Sequence, residues 1–173
     1  SGPVNWAYGV DTLLSPSNNV NFNGYWAKTD SPGKSGKDTS YRGRFDYQPD
    51  RYGLALEATA VGGQFNPQVG FVRRKDFFRH YAYGRFSPRL AGNRLVRRFV
   101  WEGDYDYVTD FHQKEVQDHS ARGTFAIEFQ NSDRLNLTYN RSHEFLPAPF
   151  RIATGVTLPV GAYDFDDVVA SYA

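Results

Sequence analysis

From Thr39 to Gln48 every second residue is Tyr41, Gly43, Phe45 or Tyr47, and the positions between hold Ser40, Arg42, Arg44, Asp46 and Gln48. A period of two belongs to a β-strand, whose side chains point alternately to opposite faces, so this segment has one aromatic face and one charged face. The rhythm returns at Phe99, Trp101, Gly103, Tyr105 and Tyr107 against Glu102, Asp104 and Asp106. It returns again at Gly123, Phe125, Ile127 and Phe129 against Arg122, Thr124, Glu128 and Gln130. No stretch builds the 3.6-residue apolar period of an amphipathic helix.

Turn signals between these runs predict strands over 4–14, 20–29, 39–48, 52–61, 78–87, 95–109, 116–130 and 135–144, with a last partial strand over 166–172 that no hairpin returns. The connections alternate. Short ones fall at 15–19, 49–51, 91–93 and 131–133, and long ones at 31–38, 62–77 and 145–161. Consecutive strands joined this way form an antiparallel up-and-down meander. Tight turns at one end, long loops at the other, and strands of about ten residues are the pattern of a transmembrane β-barrel, since strands of soluble sheets average nearer five or six. The fold class expected is therefore all-β: a transmembrane β-barrel or a fragment of one, with 1–173 as a single segment.

Composition narrows the function. The chain holds fourteen Phe, twelve Tyr and three Trp in 173 residues, an aromatic excess suited to places that are apolar on one side and wet on the other. A net charge of +1 offers no field to steer nucleic acid. The absence of Cys removes disulfides, thiolate chemistry and Cys-ligated metals. No apolar run is long enough for a transmembrane helix, but alternating strands cross a membrane at low mean hydropathy. The lack of any Met suggests a processed or excised piece.

Charges of both signs on the polar faces suit a wet, cross-paired lumen: Arg42, Arg44, Asp46 and Glu57, then Glu102, Asp104, Asp106, Arg122 and Glu128. Phe45, Tyr47, Trp101, Tyr105, Phe125, Phe129, Leu137 and Tyr139 are expected to face outward. The 62–77 loop carries the best binding candidates, Phe65, Asn66, Phe71, Arg73, Arg74 and Lys75, around the turn formers Pro67 and Gly70. Folded inward, this loop narrows a pore with a positive constriction; folded outward, its arginines meet lipopolysaccharide phosphates or a partner. His80, His112, His119 and His143 show no ligand spacing, so no metal or other cofactor is expected. Paired carboxylates for glycoside hydrolysis would converge only through folding, and no enzyme is expected.

The run GQFNPQVGFVRRKDF at 63–77, with GYWAKTD at 24–30, EFQNSDR at 128–134 and EFLPAPFRI at 144–152, resembles a family of bacterial outer-membrane proteins. In that family a biochemically uncharacterised C-terminal barrel follows an N-terminal domain similar to family-nine carbohydrate-binding modules. The resemblance covers nearly the whole chain. It implies a bacterial outer-membrane location and a longer parent barrel, and it supplies no catalytic residue. The expected function is then a passive pore, conduit or scaffold for carbohydrate-related solutes. The expected partners are the bilayer or lipopolysaccharide, oligosaccharide, and other chains or the rest of the parent barrel. The alternative reading is a soluble antiparallel β domain that binds carbohydrate or a protein through exposed aromatics.

Overall fold

In the computed structural model the described residues are 4–33, 36–68, 72, 74–146 and 148–173. The chain is all-β. Eight successive strands, β1 (Trp6–Ser17), β2 (Val20–Asp30), β3 (Thr39–Tyr47), β4 (Tyr52–Val61), β5 (Phe77–Phe86), β6 (Val96–Asp110), β7 (Val116–Phe129) and β8 (Arg134–Leu146), pair antiparallel, each with the next. A small hairpin, β9 (Phe150–Ala153) with β10 (Val156–Leu158), interrupts the chain before β11 (Gly161–Tyr172) returns to pair with β8. The last strand thus begins at Gly161, five residues before the expected start at 166, and pairs with β8 over its whole length. The meander has nine strands and does not close into a barrel, because among the described residues β1 and β11 carry its free edges. In an up-and-down sheet of nine strands those two run in the same direction, so joining them directly would need a parallel pairing.

Turn chemistry sets the short end. Leu90 accepts a bond from Asn93 N (3.4 Å) around Gly92, whose φ of 75° is easy only for glycine, and the Asn93 carboxamide accepts from Leu95 N and Val96 N (2.9 and 2.8 Å). At the other end the Asp110 carboxylate accepts from the backbone of His112, Lys114 and Glu115, closing the β6–β7 connection. The connections 18–19, 48–51, 87–95 and 130–133 share one end, the turn end; the third is longer than the others and carries an isolated bridge between Arg89 and Arg98. The connections 31–38, 62–76, 111–115 and the 147–160 excursion share the other, the loop end.

Because residues opposite each other in the register lie on the same side of the sheet, the pairing assigns every strand residue to a face. One face, the outer, carries Phe22, Phe45, Leu56, Ala82 and Tyr105 in one cross-strand row and Tyr52, Phe86, Trp101, Phe125 and Leu137 in another. All eight residues expected outward lie on this face. It is not covered: Trp101 is 44% exposed and Leu137 50%. The largest fully buried side chains are instead Thr29, Ser40 and Ser87. Apolar burial is confined to small or scattered residues such as Ala55, Ala60, Val100 and Ala126. This is the reverse of a soluble sandwich, which keeps its large apolar side chains between two layers.

The outer apolar band runs obliquely. Its loop-end limit is marked by Trp26 on β2, Tyr41 on β3, Phe78 on β5, Tyr107 on β6 and Tyr139 on β8. Trp26, Tyr41 and Phe78 lie on one cross-strand row, and by β8 the limit has moved six residues toward the turn end of Phe145, the residue nearest that row. Six residues are about 20 Å along a strand, set against about 29 Å across six strand spacings, an inclination of roughly 35°. Beyond that limit the same face turns polar at Lys28, His119, Arg141, His143, Asp164 and Asp166, while aromatics persist there at Trp6, Tyr8 and Phe145.

The loops at the loop end interlock through one close approach. Gly62 N donates to Thr39 O (2.9 Å) and Gln64 N to Lys37 O (2.9 Å), and a Cβ on Gly62 would stand 2.0 Å from the Lys37 carbonyl oxygen. Gly62→Ala therefore forces the two loops apart and is expected to lower stability by about 2 kcal/mol, read as a lower denaturant midpoint. An unchanged midpoint would show that the two loops do not touch.

The charged inner face

All nine charged residues expected in the lumen lie on one face, opposite the apolar band: Arg42, Arg44, Asp46, Glu57, Glu102, Asp104, Asp106, Arg122 and Glu128. The register brings them into contact. Glu57, its side chain 7% exposed, is the hub: its carboxylate accepts from Arg42 (2.6 Å), Arg44 (3.3 Å) and Arg79 (3.2 Å), and from the Thr59 hydroxyl (3.2 Å). Arg44 also forks onto Asp46 at 2.7 and 2.8 Å. Arg79 Nε donates to both oxygens of Asp106 at 2.8 and 2.9 Å, and its guanidinium lies over the Tyr81 ring. Arg122 pairs with Asp104, Tyr83 Oη donates to Glu102 (3.1 Å), and Arg98 forks onto Glu128 at 2.6 and 2.7 Å with Arg134 at 3.7 Å. The charges alternate in sign across strands, so opposite groups meet within hydrogen-bond reach and every buried side-chain polar atom among the described residues has a partner.

Toward β8 and β11 the same face loses its charge density. Thr124 and Thr138 share a hydrogen bond (3.0 Å), and with Asn136, Asn140 and Ser171 they border a cavity of about 440 Å³ together with Glu102, Arg122 and Arg134. At the turn end the Arg85 guanidinium gathers the carbonyls of Pro49, Asp50 and Tyr52 and the Ser87 hydroxyl, and so ties down the β3–β4 turn. Outside it, Arg89 forks onto Asp50 (2.8 and 3.0 Å) and holds that carboxyl below the usual aspartate range.

The described residues of the 62–76 loop make contacts on this face. Asn66 N donates to Thr29 Oγ1 (3.0 Å) on β2, and Asn66 O accepts from Asn5 (3.0 Å), which also bonds Ser31. On the opposite side Arg74 donates to Asp118 (2.7 Å) and Gln117 (2.6 Å) on β7. The segment therefore reaches from the first hairpin to β7. Phe65 is buried, and with Arg74 it borders a cavity of about 910 Å³ whose other walls come from Tyr25 on β2, Arg79 on β5, Asp106 on β6 and Phe165 on β11. Side chains from β2 and β11 face one space because the sheet curls. Lys75 is partly exposed in the same loop, and Phe71 and Arg73 lie outside the described residues.

Sequence reasoning did not single out Arg79, Arg98, Arg134, Tyr81 or Tyr83. The signal for Arg79, Tyr81 and Tyr83 was present in the parity of β5, where they and Arg85 alternate with Phe78, His80, Ala82, Gly84 and Phe86; Arg98 and Arg134 lie on β6 and β8. Both tyrosines point inward, Tyr83 with its hydroxyl on Glu102 and Tyr81 with its ring under the Arg79 guanidinium. Among the described residues no group of three or more His, Asp or Glu side chains is arranged to hold a metal ion.

Removing the charge of Glu57 leaves three guanidinium groups facing one another. Glu57→Gln is expected to cost about 2 kcal/mol, below the range for breaking a fully buried pair because the arginines are about a third exposed, and denaturant unfolding of the folded protein measures it. A midpoint equal to that of the unsubstituted protein would remove Glu57 from its role as hub. No family model, no curated protein and no solved structure matches this chain.

Proposed function

We propose that the protein is part of the wall of an outer-membrane β-barrel, with the apolar face against lipid and the ion-paired face lining an aqueous conduit. The observation that carries this reading is the inverted distribution of polarity. Large aromatic and aliphatic side chains stand exposed while Ser, Thr and a carboxylate are buried. In water each large apolar side chain left uncovered forfeits roughly 1.5–3 kcal/mol of burial. Against hydrocarbon the same surface is at home, and the charges and hydroxyls of the opposite face stay hydrated. No helix of the described chain is long and apolar enough to cross a membrane, so any crossing is by strands.

Two further features support it. The oblique band, inclined at roughly 35° to the cross-strand rows, matches strands that tilt by about 35–45° from the membrane normal. Aromatic rings at its limits, Tyr41, Tyr107 and Tyr139 at the loop end and Tyr47, Tyr52 and Trp101 at the turn end, suit the two interfaces of a bilayer. The conduit's narrow part is the loop end, where the 62–76 segment is tied to β2 through Asn66 and to β7 through Arg74. Transport through it is passive in this reading: Glu57 and Glu128 are committed to ion pairs and Glu102 to Tyr83.

The test is the behaviour of the purified chain with and without detergent. Aggregation in plain buffer, with electrophoretic migration that shifts on heating after refolding into micelles, is the expected result. A monodisperse, folded monomer in buffer would overturn the membrane reading and favour a soluble β domain with an exposed aromatic surface.

A further inference from the structure

The four histidines are scattered in the sequence, yet the fold sets two of them side by side. His119 on β7 and His143 on β8 are directly opposite in the register, with ring centroids 4.7 Å apart and ring planes 2° from parallel. Across the next strand pair His143 faces Asp164 on β11, and His143 Nδ1 lies 2.8 Å from Asp164 Oδ1. An ionised carboxylate can only accept, so Nδ1 is the donor here, and in the neutral ring that tautomer leaves the lone pair at Nε2. A carboxylate on the remote nitrogen is the arrangement that orients a histidine as a metal ligand and raises its basicity.

We propose that His119 and His143 form a two-histidine site for a divalent transition cation such as Cu²⁺, Ni²⁺ or Zn²⁺, with Asp164 as the group that orients His143. Opposed residues of an antiparallel pair hold their Cβ atoms about 4.5–5.5 Å apart, close enough for two imidazoles to converge on one ion at about 2.0–2.1 Å from each nitrogen. Convergence requires the stacked rings to turn toward each other at their side-chain torsions, with the exposed Asp164 carboxylate following His143 Nδ1. Water completes the coordination, which suits a site on a surface. The pair sits beyond the polar limit of the outer face, and the charge around it favours a cation. Asp164 and Asp166 lie on the same face of β11, with Arg141 alone opposing them at 4.0 Å from Asp166. Tyr107, opposite His119, and Tyr105, with its ring 6.3 Å away, wall the site toward β6. The inference does not rest on the conduit.

The experiment is a titration of the untagged, refolded chain with Cu²⁺ alone, followed by electron paramagnetic resonance. One saturable equivalent with two nitrogen ligands is expected. His119→Ala and His143→Ala should each leave one nitrogen and weaken binding at least tenfold. Asp164→Asn should keep both nitrogens and weaken binding about tenfold. His112→Ala, in the β6–β7 connection, should bind as the unsubstituted chain does. A spectrum of the unsubstituted chain with fewer than two nitrogens, or no saturable site, overturns the proposal without recourse to any variant. So does unchanged binding in a folded His119→Ala or His143→Ala variant.

Discussion

The clasp at Glu57 is the interaction on which the middle of the sheet depends. Three strands contribute to it, with Arg42 and Arg44 from β3, Glu57 from β4 and Arg79 from β5, and Arg79 passes the connection on to Asp106 on β6. Side-chain direction in a strand has a period of two, so a one-residue slip of β4 would carry Glu57 to the aromatic face and bring Leu56 among the arginines. No intermediate register satisfies both faces. Buried charge is costly when unpaired, so the clasp discriminates against slipped registers more strongly than apolar contacts on an uncovered face can.

A sheet built this way has an unusual relation to its solvent. Its polar groups satisfy one another, while its large apolar groups touch one another along the outer face and are left uncovered. Soluble folds resolve an apolar face by packing a second layer over it, and here no second layer exists among the described residues. The small hairpin β9–β10 is too short to serve, and the described residues of the 62–76 loop make contacts on the charged face instead. A bilayer would supply the missing layer. On the proposed reading the same physics accounts for the oblique band and for the polar residues past Tyr107 and Tyr139, whereas Thr12 and His80 are polar positions within the band itself. Tilted strands leave a membrane at different points along their length, and what projects beyond it must tolerate water.

The strands and their two faces were legible in the sequence because alternation is a local property. The eight long strands lie within a few residues of where period and turn residues predict them, and every charge expected in the lumen shares one face. What depended on register was not legible. Glu57 and Arg79 are separated in sequence by a long loop, and only pairing shows that the carboxylate takes Arg79 as well as its β3 partners. The tether of Arg74 to Asp118 and the meeting of His119 with His143 are long-range consequences of the same kind. The hairpin at 150–158 was hidden because β9 and β10 are too short to establish a period. The final strand reads as partial because no hairpin returns it, and the expected span of 166–172 leaves out its first five residues, 161–165.

The central claim is that the two faces of the sheet meet different solvents, and the chain's lack of cysteine allows a direct measurement. Single cysteines placed in turn at positions 41 to 47 of β3, in protein refolded into lipid vesicles, would be probed with a water-soluble thiol reagent and with a quencher confined to the acyl chains. Reactivity should alternate: positions 42, 44 and 46 reached from water and shielded from the lipid quencher, 43 and 45 the reverse. Uniform access from water along the whole strand would contradict the account.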